Sequence, residues 1–301
     1  MTVRILDAVA SDFAAMNAAD LFDSIRKGEG RALSVEVICT DQPPVDGITH
    51  AELAASLGAD MILLDRYDPP APVILGAPEP LMQSKAPLMG LKNMIGRPVG
   101  INLLVGTNIP SQKAGRAFTP AIATAACEQG ADIFFMINQP AHGGTLEQMR
   151  TAGEWVRNHI GNKVMPVAVT STSTLPPRSA FEVDAFADTL KPLLQGGYMG
   201  AGLPLPGSKQ GWMVDATARL VDCIHAEGGQ AWAILTGSVE GSPREAIIQL
   251  ALQAKMLGFD VHRLDGAGLS GMPSPENIMS YSMAIRGERH TYRRMALSIR
   301  R

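Results

Sequence analysis

One phrase recurs three times in this chain and constrains its fold more than any other feature. The copies are Gly58–Asp65, Gly130–Asn138 and Gly258–Asp265, and each contains a glycine, an aspartate two positions later, a short and mainly apolar run, and a closing polar residue. Glycine readily adopts the left-handed backbone that ends a helix, and a short apolar run suits a strand buried on both faces. The phrase therefore predicts a helix, a tight turn and a parallel strand, repeated along the chain.

Eight short segments are predicted as strands, and one helical pattern separates most of them from the next. They are Leu33–Cys39, Met61–Leu64, Val99–Leu104, Ile133–Ile137, Val167–Thr170, Tyr198–Leu203, Ala231–Leu235 and Val261–Leu264. Thr49 and Ser242 have the signature of helix N-caps, because a glutamate follows each of them three residues later.

Strands that alternate with helices over this length predict an α/β protein with one (β/α)8 TIM barrel domain over residues 1–301. Residues 1–30 are predicted to form an additional helical segment that packs outside the barrel. A doubly wound open sheet is the alternative, although no G-x-G-x-x-G follows the first strand.

The composition fits a globular protein of enzyme size. The 301 residues are 46% hydrophobic and 18% charged, with a formal net charge of −3. With a pI near 6.1 the chain has no large basic surface, so no nucleic-acid partner is expected. The three cysteines, Cys39, Cys127 and Cys223, lie far apart, which favours a reducing compartment over a disulfide framework. No uninterrupted apolar stretch approaches the length of a membrane span, so no membrane partner and a cytoplasmic location are expected.

The closing residues of the phrase indicate where a functional site lies. Asp65, Asn138 and Asp265 would all lie at the carboxyl ends of parallel strands, where α/β folds keep their chemistry. Glu36 stands inside an apolar run, where an unpaired charge is costly, so it either pairs with a cation or points into the barrel mouth. Such carboxylates could bind Mg²⁺, with Asp65 and Asp68 as ligands, or supply a general base of raised pKa. The alternative for each of these carboxylates is a structural role in which it only caps a loop.

Other polar residues at predicted strand ends and loops are candidates for substrate contacts. Asn102 ends the third strand, and the polar segment Thr170–Thr172 ends the fifth. His142 is the one histidine predicted on a loop at the barrel mouth. Lys209 has glycines on either side, which suits a mobile cationic residue of a lid. The alternative for Lys209 is an exposed lysine without a role.

Two glycine-rich loops follow the last two predicted strands, at residues 236–241 and 265–271. Glycines allow backbone N–H groups to converge on an anion, and these loops commonly bind phosphate in (β/α)8 barrels. The predicted phosphate-binding residues are Gly237, Ser238, Gly266, Gly268 and Ser270. The alternative is that the glycines only tighten the turns between strand and helix.

Four segments carry a resemblance to a known family: Ser34–Val37, Gly58–Asp65, Pro98–Asn102 and Pro275–Arg294. Through them the chain resembles a bacterial family of (β/α)8 proteins labelled as phosphonomutases, which is related in outline to the phosphoenolpyruvate mutase and isocitrate lyase group. The resemblance implies Mg²⁺ and a phosphonate or 2-oxo-acid substrate. After the third strand this chain has Ile101–Gly106 in place of the group's acidic D-x-D-x-G-Y-G metal motif, and no catalytic residue is transferred from that group.

The function predicted from these features is that of a phosphonomutase-like lyase or isomerase. It would act on a small phosphorylated or carboxylated metabolite at the carboxyl-terminal rim of the barrel. The catalytic candidates are Glu36, Asp65, Asn102, Asn138, His142, Lys209 and Asp265. A sugar-phosphate aldolase or epimerase and a non-catalytic barrel used for binding or assembly are the alternatives. The expected partners are a small anionic substrate and further copies of the chain, since the irregular connection Tyr67–Pro98 suits a subunit contact.

Overall fold

A closed barrel of eight parallel strands forms the centre of the protein. The computed structural model describes residues 2–169, 176–177 and 179–301. The strands are Ala32–Ile38 (β1), Met61–Asp65 (β2), Val99–Val105 (β3), Ile133–Asn138 (β4), Met165–Val169 (β5), Gly200–Pro204 (β6), Gln230–Leu235 (β7) and Val261–Leu264 (β8). Each strand pairs with the next, and β8 pairs with β1, which closes the barrel. The (β/α)8 prediction is confirmed, and the open sheet is excluded.

All eight predicted strands are present, with boundaries that differ from the prediction by two residues at most. The fifth strand begins at Met165 and ends at Val169. The predicted polar segment Thr170–Thr172 lies outside the described residues.

Helices surround the barrel and connect its strands. They are Ala10–Ala15 (α1), Ala18–Arg26 (α2), His50–Ser56 (α3), Glu79–Met82 (α4), Pro87–Ile95 (α5), Pro120–Glu128 (α6), Leu146–His159 (α7), Ala180–Gln195 (α8), Val214–Ala226 (α9), Arg244–Met256 (α10) and Pro275–Ala296 (α11). The predicted N-cap Thr49 is confirmed, because its hydroxyl accepts a hydrogen bond from the Glu52 N–H at 3.1 Å. The prediction for Ser242 is wrong by one residue: Pro243 is the N-cap of α10 and has no side-chain acceptor. No described helix is both long enough and apolar enough to cross a membrane.

The N-terminal segment closes the amino-terminal end of the barrel. Its helices α1 and α2 contribute Phe13, Leu21 and Ile25 to an apolar cluster that also contains Phe135 and Trp232 from the barrel interior. A second apolar cluster lies between the outer faces of the strands and the surrounding helices. The helical extension predicted for residues 1–30 is therefore present, and it seals one end of the barrel.

The aspartate of the repeated phrase joins neighbouring strands at that same end. In each copy the carboxylate accepts a hydrogen bond from a backbone N–H near the start of the preceding strand, and the aspartate N–H donates to the carbonyl of that same residue. The pairs are Asp60 with Leu33, Asp132 with Val99 and Asp260 with Ala231, with N–H to carboxylate distances of 2.8, 2.9 and 2.8 Å. Strand pairing therefore explains why the phrase recurs.

Candidate active site

Charged and polar side chains meet inside the carboxyl-terminal end of the barrel. They come from β1, β2, β3, β8 and the residue after β8, and are Glu36, Asp65, Asn102, Arg263 and Asp265. Side chains of a strand alternate between its two faces. Glu36 points inward because its neighbours Val35 and Val37 belong to the outer apolar cluster.

Arg263 is the centre of this group. Its Nη2 donates a hydrogen bond to Glu36 Oε2, and its Nη1 lies 3.2 Å from Asp265 Oδ1. The guanidinium carbon lies 4.5 Å from the centre of the Phe135 ring, in the barrel interior. The side chains of Arg263 and Glu36 are only 4% and 9% exposed. One buried cation therefore holds two carboxyl groups in place.

Asn102 connects this buried pair to a second ion pair nearer the surface. Its Nδ2 donates to Glu36 Oε2 at 2.7 Å and to Asp65 Oδ1 at 3.1 Å. Arg116, at the end of the 3₁₀ helix Ser111–Arg116 that follows β3, donates to the same Asp65 oxygen at 3.0 Å. The side chains of Asp65 and Arg116 are 22% and 13% exposed. The site therefore has a buried floor and a partly open rim.

Burial raises the pKa of two carboxyl groups in the site. The pKa of Glu36 is raised to about 7, chiefly because burial penalises the charged form; Arg263 opposes the shift, and the charge of Asp265 adds to it. The pKa of Asp265 is also raised, again chiefly by burial and against the effect of Arg263. A carboxyl group that titrates near neutral pH can both donate and accept a proton. The carboxyl-terminal end of the barrel therefore contains two carboxyl groups of raised pKa that share one arginine.

One protein family matches nearly the whole chain. Residues 6–301 match a family described as a domain of unknown function, DUF7916. The chain belongs to the DUF7916 family. A comparison of this DUF7916 chain with curated proteins finds no match.

Solved structures with a similar fold include members of several enzyme families. One is 2,3-dimethylmalate lyase, a PEP mutase/isocitrate lyase superfamily member, with 14% identity, a TM-score of 0.50 and coverage of 84% of this chain and 81% of that one. Another is the carboxyl transferase domain of Rhizobium etli pyruvate carboxylase, with 12% identity, a TM-score of 0.57 and coverage of 97% and 52%, so the DUF7916 chain spans about half of that chain. Octameric Rubisco from Pyrococcus horikoshii OT3 gives 13% identity, a TM-score of 0.54 and coverage of 92% and 67%. At these identities the similarity shows the fold.

Two arginines of the DUF7916 site are not among the residues predicted from the sequence. Arg263 had a usable signal, because it is a charged residue inside a predicted buried strand, which is the argument that selected Glu36. Arg116 had none, since it lies in an irregular connection whose path only the structure reveals.

Glu240, in the loop after β7, is a third buried carboxyl group that is not among the predicted site residues. Its Oε1 accepts a hydrogen bond from the Ala267 N–H at 2.9 Å, and its backbone carbonyl accepts one from Asn277 Nδ2 at 3.0 Å. Its Oε2 has no hydrogen-bond partner among the described residues. Burial raises the pKa of Glu240, and its charge in turn raises the pKa of Asp265. Glu240 therefore joins the loops after β7 and β8 and acts on the site electrostatically.

Two of the predicted phosphate-binding residues lie exposed at the barrel mouth. Gly237 and Ser238 both have left-handed backbones, with φ of 78° and 68°. The Lys209 ammonium lies beside them, 3.9 Å from the position that a Cβ on Gly237 would take. Lys209 is thus close to the predicted anion loop rather than to the carboxylates.

The other three predicted phosphate-binding residues lie in the loop after β8. Gly266 is buried. Gly268 is packed within the loop region, because a Cβ there would lie 3.0 Å from Pro273 Cα. The Ser270 hydroxyl donates to the carbonyl of Gln42 at 3.2 Å. Anion binding by these loops stays a prediction.

Asn138 and His142 lie outside the carboxylate group. Asn138 pairs in register with Val105, whose side chain belongs to the outer apolar cluster, and it therefore lies on the outer face of β4. The prediction that Asn138 shares a cleft with Glu36 is corrected accordingly. His142 ends the short 3₁₀ helix Pro140–His142 in the following loop. The backbone hydrogen bonds of His142 join it to Gln139 and Asn108, which are not members of the carboxylate group.

The donor set of the site does not fit Mg²⁺. A hard cation of this kind needs free carboxylate oxygens. Here Arg263 lies between Glu36 and Asp265, and Arg116 binds Asp65. Across residues 2–169, 176–177 and 179–301, no three His, Cys, Asp or Glu side chains are arranged to hold a metal.

Asp68, the second predicted metal ligand, does not add to this donor set. Its carboxylate packs against the backbone of Gly115, where a Cβ would lie only 2.0 Å from Asp68 Oδ1. Magnesium binding by Asp65 and Asp68 stays a prediction that the donor geometry does not support.

Proposed function

We propose that this DUF7916 protein is an enzyme of the lyase or isomerase type that transfers a proton on a small anionic metabolite. The observation that supports the proposal best is the buried Glu36–Arg263–Asp265 group at the carboxyl-terminal end of the barrel. Perturbed carboxyl groups in this position are typical of catalytic acids and bases. Solved structures of the same fold include a lyase, which agrees with the proposal.

Asp265 is the proposed group that contacts the substrate, since its side chain is 15% exposed, compared with 9% for Glu36. In a lyase step the Asp265 carboxylate takes the proton of a substrate hydroxyl as the neighbouring carbon–carbon bond breaks. The bonding electron pair then forms an enolate, and the protonated carboxyl group returns the proton to its carbon. In an isomerase step the same group would move a proton between two carbons. Glu36 and Arg263 position Asp265 and balance its charge.

A non-catalytic barrel for binding is the second candidate. Arg263 and Glu36 are nearly inaccessible to solvent, as expected for an ion pair that only determines the packing of the barrel interior. Replacing Asp265 distinguishes the two functions. An enzyme would lose turnover, whereas a binding protein has no turnover to lose.

Turnover tests these functions directly. A panel of 2-oxo acids, hydroxy acids, phosphonates and sugar phosphates is assayed with Mg²⁺ and, separately, with EDTA. Asp265→Asn should lower kcat by at least about 100-fold, the usual loss for a catalytic acid or base. The matched control is Asp188→Asn on α8, an aspartate that is 70% exposed, which should leave kcat unchanged.

The pH profile tests Glu36. If catalysis requires a protonated Glu36 beside the Asp265 carboxylate, kcat/KM falls as the pH rises above about 7, where Glu36 loses its proton. Glu36→Gln should remove this fall. Turnover that is insensitive to both variants would contradict the proposal. If no compound is turned over, the binding function is favoured.

A further inference from the structure

A pocket of about 290 Å³ opens beside the carboxylate site. It lies between the loops that follow β1, β2 and β3, and its polar lining is Thr40, Arg66, Asp68, Gln112, Lys113 and Arg116. The volume is near the lower end of small-molecule sites, which begin at about 300 Å³. Arg116 also binds Asp65, so the pocket and the carboxylate site share a wall.

Two cations enter the pocket from the same 3₁₀ helix. Ser111–Arg116 places Lys113 and Arg116 three residues apart. Side chains at this spacing eclipse each other in a 3₁₀ helix, because the helix has three residues per turn. Lys113 and Arg116 therefore lie side by side, an arrangement that favours an anion between or above them.

A third cation reaches the pocket through an unusual backbone. Arg66 follows β2 with a left-handed φ of 60°, which residues other than glycine seldom adopt. Such conformations concentrate at functional sites. Asp65, the preceding residue, points into the barrel, whereas the side chain of Arg66 lines the pocket and contacts Asp41 at 3.0 Å.

The cations of the pocket are only partly neutralised. Arg66 pairs with Asp41 at 3.0 Å and lies 3.9 Å from Asp65, and Asp65 also pairs with Arg116 at 3.0 Å. Lys113 forms no ion pair with any described residue. Asp68 is the one acid in the lining, and it forms no ion pair with any described residue. The pocket is thus lined by three cations, of which Lys113 is unpaired among the described residues, and by one carboxyl group.

We propose that this pocket binds the phosphate group of a small hydroxylated metabolite. Arg66, Lys113 and Arg116 bind the phosphate oxygens, and Asp68 accepts a hydrogen bond from an adjacent hydroxyl group. The inference rests on the proposed function in one respect, namely that the bound metabolite is the substrate of the Asp265 site. This proposal places the phosphate site at the loops after β1, β2 and β3, and not at the loops after β7 and β8 that the glycine pattern predicted.

Isothermal titration calorimetry at constant ionic strength tests the pocket, with inorganic phosphate and glycerol 3-phosphate as probes. Lys113→Ala and Arg66→Ala should each weaken binding of both probes by about 10-fold, the effect of losing one charge-assisted hydrogen bond. The matched control is Lys85→Ala, an exposed lysine outside the pocket, which should leave both affinities unchanged.

Asp68→Asn tests recognition of the phosphate group and of the hydroxyl group separately. Removing a negative charge should tighten the binding of inorganic phosphate. Losing the strong hydroxyl acceptor should reduce the preference for glycerol 3-phosphate over inorganic phosphate. A variant in which both probes change equally would remove Asp68 from ligand recognition.

Three results would overturn the inference. They are no phosphate binding by the wild-type chain, equal weakening by Lys85→Ala and Lys113→Ala, and weakening by Lys209→Ala without any effect of Lys113→Ala. The last result would place the anion at the loop after β7. The two proposals can fail separately: if no compound is turned over but Lys113→Ala still weakens phosphate binding, the proposed enzyme is refuted and the pocket is supported.

Discussion

Replacing the aspartates of the repeated phrase by asparagine should destabilise the protein by graded amounts, with the largest loss at Asp60. Arg286 Nη1 and Arg294 Nε lie 2.5 and 2.7 Å from the Asp60 carboxylate, and the three side chains are at most 1% exposed. Asp60→Asn leaves both guanidinium groups buried without a counter-charge. Breaking a buried ion pair in this way costs about 3–5 kcal/mol.

The other two aspartates are less buried and should cost less. Lys92 Nζ lies 2.5 Å from Asp132, with exposures of 8% and 13%. Burial raises the pKa of Asp132 although Lys92 opposes the shift, so a neutral side chain is better tolerated there and the loss should be about 1–3 kcal/mol. Asp260 is 20% exposed and its partner His225 39%, so Asp260→Asn should cost less than about 1 kcal/mol.

Urea denaturation followed by circular dichroism measures the series. Asparagine keeps a carbonyl that can accept the hydrogen bond from the backbone N–H, so the variants isolate the ion pair from the strand contact. The free energy of unfolding of a domain of ordinary stability is about 5–15 kcal/mol, so Asp60→Asn should remove a large share of it. Equal losses at Asp60 and Asp260 would refute the reasoning, as would a loss below about 1 kcal/mol at Asp60.

The pH dependence of Asp260→Asn provides an independent check on the same series. The hydrogen bond to Asp260 raises the pKa of His225 above its ordinary value of 6.5. The resulting stabilisation is fully present below pH 6.5 and disappears as the pH rises through the raised pKa of the folded state. The cost of Asp260→Asn should therefore be measurable at about pH 6 and absent at about pH 9.

Two further predictions concern buried side chains. His262 has both ring nitrogens hydrogen-bonded at 3.0 Å, Nδ1 with the Tyr281 hydroxyl and Nε2 with the Gly30 carbonyl, and burial lowers its pKa to about 4. An NMR titration should find the His262 ring neutral down to about pH 5. The stabilisation from the neutral ring should be present above pH 6.5 and should be lost as the pH falls through about 4. Titration of the ring near pH 6.5 would contradict this. Gly153→Ala in α7 should destabilise the protein by about 1–3 kcal/mol in thermal or urea unfolding, because the new Cβ would lie 2.4 Å from Tyr198 Cε2. This loss should exceed the gain from the better helix propensity of alanine. A more stable variant would show that Tyr198 moves freely.

The barrel itself could be predicted because its signals are local. A strand buried on both faces needs only a short apolar run, and a helix that ends needs only a glycine in the right place, so the phrase Gly58–Asp65 and its two repeats suffice. The general position of the site follows from the same pattern, since the carboxyl ends of parallel strands meet at one rim. Glu36 was identifiable because an acid inside an apolar run needs a partner.

The composition of the site depended on contacts between residues distant in sequence. Glu36 and its partner Arg263 are 227 positions apart, and only barrel closure brings β8 beside β1. Asn138 shows how small a difference matters, because a shift of one residue at a strand end moves a side chain from the inner face to the outer one. The chain alone therefore determined the strands and the rim on which polar residues converge. The tertiary structure decided which charges pair there, because pairing depends on closure, register and the path of irregular loops such as the one that carries Arg116.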